Sequence, residues 1–276
     1  MRKDGDILGP VLRYPGAKWK MADWIIRHFP PHQVYLEPFF GSGAVFFNKR
    51  PSGVETINDL DGNIVNLFRV IRKYPEELAR LIEFTPWSRE EYQSSYKQTG
   101  DPLEDARRFL VRCWQAYGTD LHRKTGWNNS KRASLRVSRN NDFLKLPQTI
   151  LDITERLKSA QIENRDALKL IREYNYPEVL IYADPPYLIQ TRTAGKRYKN
   201  EMTTEEHEEL LEVLRKHKGP VIISGYKSDL YDRVLAEWVL DTVKTNAMNG
   251  KKRFECIWIN PVTAEYNRQY SLFDSL

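Results

Sequence analysis

The chain has 276 residues, enough to bury roughly three-quarters of the surface of the unfolded chain, so we expect one large domain or a domain with an insertion. Its two cysteines, Cys113 and Cys256, lie far apart, without a CxxC pair or a histidine at metal-ligand spacing, which argues against disulfides and a zinc site. The first ten residues lack the apolar run of a signal peptide. No stretch reaches the roughly 18 apolar residues of a membrane span. We therefore expect a soluble cytoplasmic protein, and from the cysteine spacing we expect no metal.

The distribution of charge is more informative than its sum. The formal net charge is +6, which alone is a weak indication of a polyanionic partner. Between residues 107 and 139, however, there are nine Lys or Arg and one acidic residue, Asp120. The positive charge is therefore local, as in proteins that bind nucleic acid through one part of the chain.

Seven short apolar segments have the length and composition of β-strands. They alternate with stretches of helical periodicity, notably 62–74 and 203–217, the second of which opens with residues suited to a helix N-terminus. This alternation predicts an α/β protein with a mostly parallel, Rossmann-like sheet covered by helices on both faces. The predicted strands are 34–37, 54–59, 160–164, 179–184, 221–225, 239–244 and 254–260.

Two early segments suggest a ligand site. Residues 13–20, RYPGAKWK, combine aromatic residues, a turn and cations, a pattern that alone is more typical of a surface segment. Residues 37–43, EPFFGSG, follow the first strand, and Gly41 and Gly43 allow a tight turn and close approach of a ligand. The third glycine of the dinucleotide fingerprint is missing, which favours a smaller adenosine-type ligand. A glycine turn without a ligand is the alternative.

The second strand is followed by NDLD (58–61). Asp59 lies about twenty residues beyond the glycine turn, where Rossmann-like folds hydrogen-bond ribose hydroxyls. Asp61 is expected to cap the helix that begins near Gly62, and either aspartate is also compatible with a simple surface cap.

About a hundred residues then separate the second strand from the third, far more than one crossover helix requires. Within them, 101–117 is helix-like and 118–140 is rich in Gly, Asn, Ser, Lys and Arg. We predict a small basic subdomain with a mobile loop. The main domain would comprise 1–74 and 155–276, and the insertion 75–154.

The sequence DPPY (184–187) directly follows an apolar strand, at the sheet edge where open α/β sheets bind ligands. The nitrogen of an aromatic amine such as adenine N6 is a poor nucleophile because its lone pair is delocalised into the ring. The carboxylate of Asp184 and the backbone carbonyl of Pro185 can each accept one amine hydrogen, while Pro185 and Pro186 stiffen the turn. Tyr187 can stack on the base. The alternative is an ordinary proline-rich turn.

Taken together and in this order, YPGAK, EPFFGSG, NDLD and DPPY make the chain resemble the Dam-like, D12-class N6-adenine DNA methyltransferases. The resemblance extends from Arg13 to the last predicted strand. It implies a seven-stranded S-adenosylmethionine-dependent methyltransferase fold whose last strand is antiparallel. It also implies double-stranded DNA as the partner and a target-recognition region before DPPY, which matches the predicted insertion.

The resemblance assigns the site residues. Asp184, Pro185, Pro186 and Tyr187 form the catalytic motif, and Asp184 serves both the methyl donor and the target amine. The residues implied at S-adenosyl-L-methionine are Tyr14, Lys18, Glu37, Phe39, Gly41, Gly43, Asp59, Asp166 and Asp184.

The insertion departs from the best-known GATC-modifying members. Their FNVPFG-like stretch is absent, and WQAYGTDLHRKTGWNNSKR (114–132) stands instead, so no recognition sequence is predicted. Several side chains there suit phosphate contacts, base readout or the space left by a flipped base, although each taken singly is more typical of a phosphate contact or a solvated charge. These candidate DNA-binding residues are Arg123, Lys124, Trp127, Asn128, Asn129, Lys131 and Arg132.

The predicted function is methylation of adenine N6 in double-stranded DNA. Methylation of cytosine N4 or of an exocyclic amine in RNA would use the same carboxylate and proline geometry, and a catalytically silent DNA-binding module would retain the fold. Intact DPPY and EPFFGSG argue against the silent module, and the incomplete glycine fingerprint argues against a dinucleotide oxidoreductase. The absence of a catalytic cysteine motif agrees with methylation of an amine rather than of a ring carbon.

Overall fold

The computed structural model describes residues 9–120, 123–129, 139–192, 195–246 and 252–273. Within these ranges the chain forms seven strands and twelve α-helices, with a short 3-10 helix at Ile189–Thr191. The strands are β1 Val34–Glu37, β2 Val54–Asn58, β3 Gln161–Glu163, β4 Val179–Ala183, β5 Val221–Gly225, β6 Val239–Asn246 and β7 Lys252–Ile259. The helices are α1 Ala22–Ile26, α2 Ala44–Asn48, α3 Gly62–Lys73, α4 Pro75–Glu83, α5 Arg89–Ser94, α6 Pro102–Gln115, α7 Arg139–Leu144, α8 Leu146–Leu157, α9 Ala167–Glu173, α10 Thr204–Arg215, α11 Asp229–Val234 and α12 Pro261–Phe273.

All seven predicted strands are present and form one sheet in the order β3-β2-β1-β4-β5-β7-β6. The strands β3, β2, β1, β4 and β5 pair in parallel, whereas β7 is antiparallel to both β5 and β6. The expected Rossmann-like sheet with an antiparallel last strand is therefore confirmed. The order reverses between β1 and β4, and the carboxyl ends of these neighbours form the crevice where such sheets bind ligands.

Both faces of the sheet are covered. Successive side chains of a strand point to opposite faces, so Tyr35 belongs to one core cluster and Leu36 to the other. The first cluster packs under α1 to α3 and under α4, α6, α7 and α8, and the second packs under α9, α10 and α11. Burial on both faces explains why β4 and β5, which are buried at every position, are continuous apolar runs in the sequence.

Helix starts follow the expected capping chemistry. The Asp61 carboxylate accepts from the backbone N–H of Asn63 and caps α3, as predicted. Thr203 caps α10 in a capping box, because its hydroxyl accepts from the N–H of Glu206 and the Glu206 carboxylate accepts from the N–H of Thr203.

Helices α4 to α8 are inserted between α3 and β3. The helix-like pattern of 101–117 corresponds to α6, which packs on α3, while α8 packs on α3 and α4. Phe109 of α6 and Ile150 of α8 belong to the same core cluster as the strand residues Tyr35 and Ile57. The inserted helices thus share a core with one face of the sheet. The part of the predicted loop at 130–138 lies outside the described residues.

Candidate active site

An open cleft lies at the carboxyl ends of β1 and β4 and encloses about 1040 Å³, including its mouth. Its position is the topological switch point of the sheet, where order reverses. It brings together most of the predicted site residues, namely Tyr14, Lys18, Glu37, Phe39, Gly41, Asp59, Asp166, Asp184 and Pro186. Pro185, Tyr187 and Gly43 are not among its lining residues.

Asp184 forms a partly buried ion pair with Lys18, whose side chain is buried. The Lys18 ammonium donates hydrogen bonds to Asp184 Oδ2 (2.9 Å) and to the carbonyl of Gly16 (2.8 Å). Burial raises the pKa of Asp184, and Lys18 opposes that rise. Burial lowers the pKa of Lys18, but Asp184 and Glu255 outweigh it and hold that pKa above its ordinary value. Lys18 is therefore a permanent cation that favours the ionised form of Asp184.

One oxygen of this carboxylate has unused hydrogen-bonding capacity. Asp184 Oδ1 lies 2.8 Å from the Lys18 nitrogen, but the angles there are not those of a hydrogen bond. Among the described residues, this buried oxygen has no aligned donor. The charge on this oxygen is therefore balanced by the ion pair with Lys18 rather than by an aligned hydrogen bond.

Tyr187 is held at both ends. Its hydroxyl donates to Glu255 Oε2 (2.9 Å), and its backbone carbonyl accepts from Arg192 Nε (2.6 Å). The Lys18 nitrogen lies 4.8 Å from the centre of its ring, and the ring of Tyr226 meets it edge-on at 4.7 Å. The aromatic residue of DPPY thus has a defined orientation beside the reactive carboxylate.

Glu37 is a second buried carboxylate at the end of β1. The Tyr35 hydroxyl donates to its Oε2 at 2.7 Å, and the side chain is buried on the cleft wall. Burial raises the pKa of Glu37 to about 8. A bound cation near Glu37 would favour its ionised form.

The glycine turn is tied to Asp59. The Asp59 carboxylate accepts from the backbone N–H of Gly41 (2.9 Å) and from that of Asp61 (2.8 Å). Burial raises the pKa of Asp59 to about 6. Gly41 has a positive φ of 51°, and a Cβ there would lie 3.0 Å from the ring of Tyr14. The ring of Tyr14 therefore packs directly on the backbone of Gly41, and only a residue without a Cβ allows this close contact.

Gly43 does not line the cleft. It precedes α2 with a φ of 68°, and a Cβ at this position would lie 2.4 Å from the ring of Phe40 and 2.7 Å from that of Phe47. The second glycine of the motif therefore serves helix entry and aromatic packing behind the cleft. Asp166 does line the cleft, and its carboxylate caps α9 through the N–H of Lys169.

Several cleft residues were missed by the sequence reasoning. Tyr198, Asn200, Glu201 and Met202 come from the segment after DPPY and line the side facing Tyr14. The Tyr198 hydroxyl donates to the carbonyl of Pro15 (3.2 Å), and Glu201 pairs with Arg192. This segment has no glycine motif or strand periodicity, so little in the sequence marks it. Glu255, which accepts the Tyr187 hydroxyl but does not line the cleft, was also missed, although a single acidic residue within the apolar strand FECIWIN is a visible signal.

The candidate DNA-binding residues of the insertion have varied surroundings. Arg123 is 77% exposed and pairs with Asp120 at 2.9 Å, and the Lys124 ammonium lies 4.9 Å from the ring of Tyr96. Trp127 donates to the side chain of Gln115 (3.2 Å). Asn128 and Asn129 follow directly, and the backbone N–H of Asn128 donates to the Gln115 carbonyl. Lys131 and Arg132 lie outside the described residues.

Part of the local positive charge has a structural role. Arg107 donates to Glu104 and Glu91, and Arg108 donates to Glu104 and to backbone carbonyls after α5. These ion pairs lower the pKa of Glu104 to about 2 and connect α5 with α6. Within the basic segment 107–139, Arg107 and Arg108 are thus engaged in ion pairs and hydrogen bonds between the inserted helices.

Neither a metal centre nor a membrane segment emerges from the described ranges. No cluster of three or more His, Cys, Asp or Glu with metal-binding geometry occurs there. No helix in that part of the chain is long and apolar enough to span a bilayer. Cys113 and Cys256 are both buried and unpaired.

A parallel sheet with an acidic, aromatic cleft at its switch point is the arrangement of an enzyme that binds a nucleoside-type ligand. The model of the D12 class N6 adenine-specific DNA methyltransferase family matches residues 14–255. The chain belongs to this family. It is an adenine-specific DNA methyltransferase, and S-adenosyl-L-methionine is its methyl donor, as the resemblance predicted.

Named relatives agree with this assignment. The chain is 24% identical over 237 residues to the DNA adenine methylase of Escherichia coli K12, a match that covers 79% of this chain and 81% of that protein. It is also 24% identical over 268 residues to the type II methyltransferase M1.LlaDCHI of Lactococcus lactis subsp. cremoris, which covers 91% and 93%. A solved structure of a SAM-dependent methyltransferase from Agrobacterium tumefaciens aligns with 10% identity and a TM-score of 0.39, covering 87% of this chain and 59% of that one.

Proposed function

We propose that the enzyme methylates N6 of an adenine rotated out of double-stranded DNA, and that Asp184 and the Pro185 carbonyl hold the amine. The observation that carries this proposal is the Asp184 carboxylate, which lines the cleft, is 20% exposed and is held in place by Lys18. A carboxylate can accept a hydrogen from an amine that enters the cleft. With the second hydrogen on the Pro185 carbonyl, the nitrogen lone pair is directed away from both acceptors.

The composition of the cleft supports a cationic, adenosine-containing donor. Its lining includes seven acidic side chains and one lysine, Lys18, which is already paired with Asp184. Such a surface attracts a sulfonium, while Tyr14, Phe39 and Leu168 offer apolar surface for a base. The acidic residues are Glu37, Asp59, Asp61, Asp166, Asp184, Glu201 and Glu206.

The chemistry needs positioning rather than a covalent intermediate. The sulfonium of the donor supplies a strong electrophile when bound. Asp184 orients the amine and stabilises the positive charge that develops on its nitrogen, because the carboxylate is held in place by Lys18 before the reaction begins. Tyr187 receives the base beside this carboxylate.

The inserted segment 75–154 is proposed to hold the duplex. Arg123, Lys124 and Trp127 supply exposed charge and a planar ring in the part that the structure describes. Rotation of one adenine out of the stack costs about a few kcal/mol. Contacts between these cations and the DNA phosphates offset that cost. The corresponding compartment is the cytoplasm of a bacterial or phage-infected cell, where such DNA lies.

The test compares the unsubstituted protein with Asp184→Ala and with Asp229→Asn, an exposed aspartate that serves as the control. Each is incubated with labelled S-adenosylmethionine and unmethylated duplex, and the nucleosides are identified by mass spectrometry. We expect N6-methyladenine from the unsubstituted and control proteins, and none from Asp184→Ala.

Other products would contradict the proposal in distinct ways. N4-methylcytosine would move the target to another base, and label in RNA but not in DNA would change the substrate. Donor binding without any product from the unsubstituted protein would indicate a silent DNA-binding module. Full activity of Asp184→Ala would remove the carboxylate from the mechanism.

A further inference from the structure

We propose that Tyr198 is a further binding residue for the methyl donor, and that the segment 197–201 holds its ring at the wall of the cleft. This role rests on the proposed use of the cleft by the donor and does not depend on which base is methylated. Tyr198 lies between DPPY and α10, in a stretch without a glycine motif or strand periodicity.

The ring of Tyr198 forms part of the cleft surface. Tyr198 lines the cleft beside Tyr14, and the centres of the two rings lie 5.7 Å apart at an angle of 55°. Both residues are partly exposed. The donor combines an aromatic base with a sulfonium cation, and tyrosine rings attract groups of both kinds. Two adjacent rings at one wall therefore suit this donor better than a single ring does.

The hydroxyl of Tyr198 is anchored on the N-terminal segment. It donates a hydrogen bond to the carbonyl of Pro15 at 3.2 Å. A Cβ at Gly16, whose φ is 71°, would lie 2.6 Å from this hydroxyl oxygen. The glycine of YPGAK therefore provides the space that Tyr198 needs, and the contact joins two distant parts of the chain at the wall of the cleft.

Glu201 fixes the backbone that carries Tyr198. Its Oε1 accepts hydrogen bonds from the backbone N–H groups of Arg197 (2.6 Å) and Tyr198 (3.0 Å). Its Oε2 accepts from Arg192 at 2.6 Å, and the side chains of Glu201 and Arg192 are only 11% and 7% exposed. Because a buried carboxylate is stable only with such partners, this arrangement favours one orientation of the segment and of the Tyr198 ring.

The segment also reaches the turn after β2. The Lys199 ammonium donates to Asp61 Oδ1 at 3.1 Å, and Asp61 both caps α3 and lines the cleft. The segment is thus tied to the N-terminal segment through Tyr198 and to the β2 turn through Lys199. The Lys199 side chain is 53% exposed, so its ion pair contributes little stability and can open when the donor enters or leaves.

Removal of the ring should weaken donor binding selectively. Tyr198→Ala should raise the Kd for S-adenosylmethionine about 5- to 30-fold, the range expected for the loss of one aromatic contact to a cationic ligand. Tyr198→Phe keeps the ring and loses only the hydrogen bond to Pro15, so its donor Kd should stay within about threefold of that of the unsubstituted protein. Tyr176→Ala, at a 57% exposed tyrosine outside the cleft lining, is the control.

The experiment measures the donor Kd by calorimetry, kcat and the donor KM for methyl transfer to duplex DNA, the Kd for that duplex, and the melting temperature of each variant. Tyr198→Ala should raise the donor Kd and KM together, while kcat at saturating donor and the duplex Kd stay within about twofold of the unsubstituted values. Its melting temperature should match that of Tyr176→Ala.

Three results would overturn the role of Tyr198. An unchanged donor Kd in Tyr198→Ala, whether or not kcat falls, would remove the ring from donor binding. A Tyr198→Phe variant as impaired as Tyr198→Ala would assign the effect to the hydroxyl and the fold of the segment. An equal loss of affinity in Tyr176→Ala would show that the effect is not specific to the cleft. No N6-methyladenine from the unsubstituted protein, with the donor bound normally, would instead refute the proposed function and leave the donor contact intact.

Discussion

Replacement of Lys18 by methionine removes the cation from the buried pair while keeping the length of the side chain. The two charges lie 2.9 Å apart, which corresponds to about 6 kcal/mol of Coulomb attraction at an effective dielectric constant of about 20. Removal of one partner from a buried pair lowers the free energy of unfolding by about 3–5 kcal/mol. Because the Asp184 side chain is 20% exposed and partly screened by solvent, we expect Lys18→Met to lower it by about 3 kcal/mol.

The effect should depend on pH in a defined direction. Burial already raises the pKa of Asp184, and loss of Lys18 raises it further. A carboxyl whose pKa is higher in the folded than in the unfolded state destabilises the fold as the pH rises through the folded pKa. The stability difference between the native protein and Lys18→Met should therefore be smallest at acid pH and grow toward neutral pH. The acidic limb of the activity profile should move to higher pH.

The assays are urea unfolding at several pH values and kcat/KM for methyl transfer over the same range. Lys20→Met, an exposed lysine two residues along the chain, is the matched control and should leave both curves unchanged. A loss of activity by the same factor at every pH, or an unshifted acidic limb, would refute the reasoning, because Lys18 would then act through packing rather than through the charge of Asp184.

Two further predictions concern the donor and the DNA. Gly41→Ala places a Cβ against the ring of Tyr14 at a φ of 51° and so displaces a ring that lines the cleft. The donor Kd measured by calorimetry should rise roughly 5- to 30-fold, which corresponds to about 1–2 kcal/mol of lost binding free energy. Gly100→Ala carries the same kind of strain at a φ of 82° in open space and should leave that Kd unchanged, so equal effects would contradict a role for the turn. Arg123→Gln should lower the slope of log Kd against log salt for duplex by about 1. Arg215→Gln, from a similar pair three residues apart, should not alter it.

The strands were the most predictable part of the fold. A parallel strand buried on both faces must be apolar throughout, so VLIYA and VIISG mark β4 and β5 directly. The placement of Glu37 and Asp184 in one cleft was implied by the family resemblance, and the structure puts both at the carboxyl ends of neighbouring strands. Local chemistry also predicted the Asp61 cap.

Residues that act through long-range contacts were not predictable in this way. Arg192 and Glu201 look like ordinary surface charges in the sequence, yet together they hold the Tyr187 carbonyl and one wall of the cleft. Gly43 matched a ligand-binding pattern, but its surroundings are the rings of Phe40 and Phe47. A short motif specifies residue types, whereas the partner of each residue depends on packing between distant segments.

The sequence by itself determined the class of fold, the order of the motifs and the carboxylate of DPPY, because strand periodicity, helix caps and turn chemistry are local properties of the chain. The tertiary structure decided which groups meet at that carboxylate. Lys18 reaches Asp184 from the opposite end of the chain, and Glu255 reaches Tyr187 because β7 runs antiparallel. Such contacts depend on strand order and direction, which arise only when the whole sheet is assembled.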